Sequence, residues 1–160
     1  MSLTRSNHCV YDTHHHVVFP VKYRKALLSA SVAVAVVEIA REIEIRYDIV
    51  FEEIGTDGDH IHVLCAFHPK YAGSAIVGLF KSITAKELFK RFPELKKELW
   101  GGEFWTDGFY FSSVGTRGDW ERVKKYVANQ GKTTGNQRQL TLWTKDQASP
   151  QSYPVPSGAG

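Results

Sequence analysis

The chain has 160 residues, 42% of them hydrophobic and 12% aromatic, which supplies one compact domain with a full core and excludes a chain disordered throughout. Twenty Lys and Arg against 17 Asp and Glu leave a net charge of +3, an excess that permits nucleic-acid binding without demanding it. The two cysteines, Cys9 and Cys65, form no C-x-x-C pair, which excludes zinc-finger and disulfide-framework readings; no apolar run reaches the ~18 residues of a membrane span, and the polar start lacks the core of a signal peptide, so a soluble, cytoplasmic protein with no membrane partner is expected.

Residues 9–23 are rich in β-branched, aromatic and His residues and read as a first strand, with Pro20 marking an edge or a bulge. Ser29 or Ser31 can cap a helix in which Val32, Val36, Ile39 and Ile43 recur at helical spacing, stopping near Tyr47 and Asp48. Residues 49–54 then read as a strand, 55–59 as a tight turn with an Asp-Gly signal, and 60–67 as the hairpin partner. A second helix is predicted over 74–92, with Ile76, Phe80 and Ile83 on one side and its lysines on another, ended by Pro93. Residues 104–114 form a last strand region, interrupted at Asp107 and Gly108. Asp119 is a natural N-cap for a third helix running to about Gln130, with Gly131 as the residue beyond it.

That order, β-α-β-β-α-β followed by a helix, predicts an α+β protein: a ferredoxin-like (RRM-like) antiparallel sheet with helices on one face and a C-terminal helix carrying Tyr126. The domain is expected over 7–132. Residues 133–160 form a polar tail, expected to be partly disordered, in which Leu140, Leu142 and Trp143 could dock as a short strand or turn.

Two spacings carry chemistry. On a strand, His60 and His62 project to the same face and form two arms of a metal clamp. On a helix, Tyr126 and Gln130 stand one turn apart on one stripe, so a phenol and an amide oxygen arrive together. Phosphodiester cleavage needs charge neutralisation, an in-line nucleophile and a stabilised leaving oxygen; a divalent ion supplies the first and part of the third, and a tyrosine supplies the second. A phosphotyrosine conserves the energy of the broken bond, so a DNA hydroxyl can attack it and strand exchange needs no ATP. Each spacing alone is weak: most H-x-H pairs pack or meet solvent, and a helical tyrosine is usually core.

Other residues have bland readings beside the functional ones. His14, His15 and His16 look like a metal tract, but on a strand they alternate in direction and read as ordinary strand histidines. Asp59 reads as a turn former or as an acceptor orienting His60. Lys22, Arg24, Lys81, Lys86 and Lys90 are candidate DNA-backbone contacts, and Trp105, Tyr110 and Phe111 are candidate stacking partners, though charged faces are usually solvated and aromatics usually core.

The segments Asn7-His8-Cys9-Val10-Tyr11, Phe19-Pro20-Val21-Lys22-Tyr23-Arg24, Asp59-His60-Ile61-His62-Val63-Leu64, Phe104-Trp105, Tyr110-Phe111-Ser112-Ser113-Val114-Gly115 and Tyr126-Val127-Ala128-Asn129-Gln130 together resemble the small single-tyrosine HUH transposases of the insertion-sequence 200/605 kind. The resemblance implies that His60, His62 and Gln130 ligate a divalent metal, Mg2+ or Mn2+, and that Tyr126 becomes joined to a 5′ phosphate. It also implies a homodimer acting on single-stranded DNA with hairpin ends, the tyrosine helix of one subunit completing the site of the other. Many related initiators carry two helix tyrosines four apart; here Arg122 precedes Tyr126 by one turn and Gln130 follows it, which favours the one-tyrosine class. The alternatives are a domesticated, repeat-associated tyrosine transposase with the same chemistry, and a non-catalytic nucleic-acid-binding module on the same scaffold with Tyr126 in the core.

Overall fold

The central sheet is made by strands that each face two environments. A computed structural model describes residues 3–115 and 117–130 of the chain. Strands β1 (Thr4–Ser6) and β2 (Cys9–Tyr11) form a small antiparallel hairpin of their own. They are followed by β3 (His14–Pro20), α1 (Ala30–Arg46), β4 (Ile49–Asp57), β5 (His60–Phe67), α2 (Gly73–Arg91), the single-turn α3 (Leu95–Glu98), β6 (Tyr110–Val114) and α4 (Arg117–Ala128). The main sheet has the order β4-β5-β3-β6 with every neighbouring pair antiparallel, so the last strand lies beside the first long one. This is the expected ferredoxin-like arrangement. Among the described residues, no helix is long and apolar enough to cross a membrane.

Alternation along the strands sorts side chains between two faces. Val17, Phe19 and Val21 of the β3 region and Ile61, Val63 and Cys65 of β5 join the core with Val36, Ile39 and Ile43 of α1 and Phe80 and Leu88 of α2. The even-numbered residues His16, Val18, His62 and Leu64 are equally buried but lie on the opposite face, which α4 covers. Helix α1 forms where its aliphatic period and its cap agree: the Ser29 hydroxyl accepts from the Val32 amide at 3.4 Å.

Several boundaries differ from the sequence reading. The first strand is broken at Asp12 and Thr13, and its N-terminal part turns away to pair with β1, whose three exposed residues carry no hydrophobic pattern. Strand β4 runs through Gly55 as far as Asp57, leaving only Gly58 and Asp59 for the turn; Gly58 adopts φ +59, which a glycine takes without strain. Residues 104–109 are not strand apart from an isolated bridge between Val21 and Trp105, because Phe104 and Trp105 turn inward and the Trp105 indole donates to the Thr84 hydroxyl at 2.9 Å. Helix α4 begins at Arg117, so Asp119 lies within its first turn. It ends at Ala128, where the Asn129 amide is shared between the Lys125 and Tyr126 carbonyls; Gln130 sits in the turn beyond. The expectations for Gly131, for Leu140, Leu142 and Trp143 and for the polar tail lie outside the described residues.

Candidate functional site

The two spacings singled out in the sequence meet on the α4 face of the sheet. His60 and His62, on alternate positions of β5, have ring centroids 5.2 Å apart. The Tyr126 ring stands edge-on to His62 with centroids 5.4 Å apart. Gln130 follows one turn later, and its side-chain amide donates to the Tyr126 carbonyl at 3.0 Å. With its nitrogen so engaged, the carboxamide keeps Oε1 as its remaining lone-pair donor.

A third imidazole completes the cluster. His16, two residues along β3 from Val18, which pairs with His62, places its Nε2 3.1 Å from His62 Nδ1. Its ring also lies 6.3 Å from that of Tyr126 and 6.0 Å from that of Tyr110. His60 is held from the other side, with Nδ1 2.6 Å from Asp59 Oδ1. Asp59 therefore both forms the turn and contacts the imidazole, and its second oxygen lies 3.4 Å from Arg24 Nε. When Nδ1 of each histidine carries the proton, Nε2 of each carries the lone pair, which is the tautomer a metal ligand of this kind takes. Two imidazoles and one amide oxygen are donor types that suit a divalent cation of the first transition row or magnesium, while among the described residues no group of three or more His, Cys, Asp and Glu is arranged to hold one.

Burial holds the His62 and His16 rings neutral. The His62 imidazole, 1% exposed, has its pKa lowered well below 6.5, first by burial and then by His16 and His60. Burial likewise brings His16 down to about 4. His14, on the same face one step further along, is held differently: Nδ1 meets Glu52 and Nε2 meets Asp12 at 2.8 Å. Glu52 sits at the irregularity in the β4–β5 register between Phe51 and Glu53. His15 points the opposite way, stacked between Phe67 and Phe111 with centroids 4.5 and 5.0 Å distant. The predicted alternation of the histidine tract is therefore observed, but His16 belongs to the site. Its role depends on which strand lies beside β3, and that pairing joins residues 46 apart in sequence.

Gly55 lets the helix reach the sheet. It lies directly across the β4–β5 ladder from His62. A Cβ built on it would stand 2.0 Å from the Val127 carbonyl oxygen and 2.9 Å from Gln130 Cβ. Because real Cβ contacts stay above 3.0 Å, the last turn of α4 would have to retreat by about 1 Å, and no rotamer relieves a clash with backbone.

The candidate DNA contacts divide by location. Arg24 adjoins the site through Asp59, and the nearby Lys22 Nζ pairs with Glu103 at 2.6 Å. Lys81, Lys86 and Lys90 stand on α2, across the sheet from the imidazoles. The Lys81 ammonium donates to the carbonyls of Thr106, Asp107 and Gly108 at 2.6, 3.2 and 3.0 Å, and burial lowers its pKa to about 8. Trp105 is core, Phe111 packs on the α2 face, and half-buried Tyr110 faces His16.

Comparison with known proteins finds similarity to transposases. A family model described as "Transposase IS200 like" matches residues 9–130. The chain is 29% identical over 121 residues to the ISDra2 transposase TnpA of Deinococcus radiodurans, covering 76% of this chain and 86% of that protein. It is 28% identical over 123 residues to the transposase of insertion sequence element IS200 of Salmonella typhimurium, covering 77% and 80% respectively. Among solved structures, a crystal structure described as a transposase of Deinococcus radiodurans shares the fold with a TM-score of 0.64 at 24% identity, covering 79% of this chain and 97% of that one. A REP-associated tyrosine transposase bound to a REP hairpin shares it with a TM-score of 0.51 at 15% identity, covering 100% and 92%.

Two predictions follow from the packing of α4 and of the imidazoles. Gly55→Ala should loosen α4 while sparing the sheet, read as a drop of roughly tenfold or more in hydrogen-exchange protection of the amides of 123–130 with β3 and β5 unchanged; equal protection of α4 in wild type and variant would show that the helix does not rest on Gly55. For the metal-free protein, the unfolded chain protonates His16 near pH 6.5 and the folded chain only near 4, so the unfolded state binds more protons across that interval. Stability should be full above pH 6.5 and fall toward pH 4 by about 3 kcal/mol from this group. Urea midpoints measured in chelator should fall over that interval, to which buried His62 contributes with the same sign, and His16→Gln should make the slope shallower.

Proposed function

The chain belongs to the IS200-like transposase family, and from that premise we propose that it cuts and rejoins single-stranded DNA, with Tyr126 as nucleophile and His60, His62 and Gln130 as ligands of a divalent cation. The observation that carries the reading is the position of the Tyr126 ring, packed against His62 within the imidazole cluster. A non-catalytic binding module would require only a buried tyrosine, with no reason for its ring to adjoin the paired imidazoles of His62 and His16.

In this reading the phenol oxygen attacks phosphorus and loses its proton, while the bond to the 3′ oxygen breaks and that oxygen takes up a proton. The product is a 5′-phosphotyrosine ester and a 3′ hydroxyl. Attack on the ester by another 3′ hydroxyl reverses the step and joins new strands. A bound divalent cation would neutralise charge on the phosphate and assist the leaving oxygen. Tyrosine ionises near pH 10 in solution, so such positive charge beside the phenol favours its reactive form. Asp59 and His16 keep the two imidazoles oriented. Both magnesium and manganese are admissible, and two nitrogen ligands suit manganese at least as well. The family resemblance implies a homodimer acting on single-stranded DNA with hairpin ends, and a relative of the same fold bound to a REP hairpin supports the hairpin as partner.

Incubation with a labelled single-stranded end and Mn2+ should yield an adduct that survives a denaturing gel. Tyr126→Phe should lower it by roughly a hundredfold or more, and an undiminished adduct in that variant would sink the proposal. His60→Ala should abolish cleavage yet spare hairpin binding; a folded variant that loses both would assign the imidazole to DNA contact instead.

A further inference from the structure

Beside the His60 end of the sheet lies a surface that the cleavage chemistry does not use. The turn Lys22–Arg24 holds two consecutive non-glycine residues in the left-handed region, Tyr23 at φ +60 and Arg24 at φ +51. Such conformations persist only where neighbours enforce them. Here the Val21 amide donates to the Asp59 carbonyl and the Lys22 amide to the Phe104 carbonyl, each at 2.8 Å, pinning the turn between the β4–β5 hairpin and the segment before β6. The enforced conformation leaves the Tyr23 side chain outside the core, 56% exposed, and its hydroxyl donates to the Trp100 carbonyl at 3.2 Å. The Trp100 side chain is 89% exposed, the most exposed of the large hydrophobic residues described.

We propose that Trp100 and Tyr23 form a stacking platform for unpaired nucleotides next to the cleavage position, with the Arg24 guanidinium taking the adjoining phosphate. The proposal rests on the DNA-processing reading of the site and extends it to the path of the strand. Continuity with the site supports it: Arg24 Nε contacts the Asp59 carboxylate whose other oxygen holds His60, and the Arg24 side chain is 61% exposed. The chemistry matches single-stranded nucleic acid, because the exposed Trp100 ring and the Tyr23 ring, which has the Lys22 ammonium 5.9 Å from its centroid, accept any base, and the Arg24 guanidinium can contact a phosphate. Those cations are largely balanced: Lys22 pairs with Glu103, Lys25 with Glu98 and Arg24 with Asp59. A surface of near-neutral charge with exposed rings suits stacking more than backbone attraction, so its contribution should depend weakly on salt.

The test compares a blunt hairpin with the same hairpin carrying an unpaired extension, by fluorescence anisotropy in chelator so that no cleavage intervenes. The extension should tighten binding by wild type, and Trp100→Leu or Tyr23→Leu should lose roughly tenfold on the extended DNA and nothing on the blunt one. Trp100→Phe should restore most of the loss. The proposal fails if the extension adds nothing for wild type, if the leucine variants bind both DNAs like wild type, or if they weaken both equally. It fails also if Trp100→Leu changes the oligomeric state in sedimentation, which would make the patch a contact between copies. Because binding is read without chemistry, a missing Tyr126 adduct beside normal extension-dependent binding would overturn the catalytic reading alone.

Discussion

Strand β5 sits in the interior of the sheet and has to satisfy two faces at once, and the site depends on how it does so. Ile61, Val63 and Cys65 enter the core under α1 and α2, while His60, His62 and Leu64 face α4. A slip of one residue would exchange the sets, driving imidazoles into the aliphatic core and isoleucine and valine toward the tyrosine. The hydrophobic term that folds the domain therefore also fixes the register of the H-x-H pair. β3 repeats the device: Val17 and Phe19 enter the core, and His16 and Val18 line the face where His62 lies.

Helix α4 is attached on different terms from α1. Six residues of α1, from Val32 to Ile43, are buried and give it a broad apolar seat. Among the described side chains of α4, only Val127 is fully buried, and the helix comes close to the sheet because Gly55 has no side chain to keep it away. A close backbone approach over a glycine gives positional definition with little hydrophobic area. The tyrosine ring is thus positioned against His62 by a close backbone approach rather than by a broad apolar seat.

Much of this was legible from local sequence, and the failures share a cause. Strand alternation put His60 and His62 together, and helical spacing put Tyr126 over Gln130, because each pattern spans five residues or fewer. Gly55 was misplaced because the Asp57-Gly58 signal is real but weaker than the ladder that carries β4 through to Asp57. His16 was passed over because its meaning lies in a strand pairing that no local window contains. Lys81 looked like a surface cation since sequence does not show three carbonyls gathered around its ammonium. Local periodicity thus identified the chemical groups, while long-range pairing decided which of them share a site.

The burial of the histidines unites stability and chemistry. Removing an imidazole from water disfavours its charged form, so His16 and His62 stay neutral at pH values where exposed histidines begin to charge. A neutral ring is the form that ligates a cation, and a proton competes for the lone pair less well where charge is poorly solvated. The Asp59 carboxylate accepts from His60 Nδ1 and so leaves Nε2 of that ring with the lone pair, while the contact between His62 Nδ1 and His16 Nε2 fixes the orientation of the His62 ring. The fold thus meets the cost of ordering and desolvating the His16 and His62 rings on its own. That investment lowers stability in acid, and it explains why polar rings occupy positions that aliphatic residues would fill in a sheet built for packing alone.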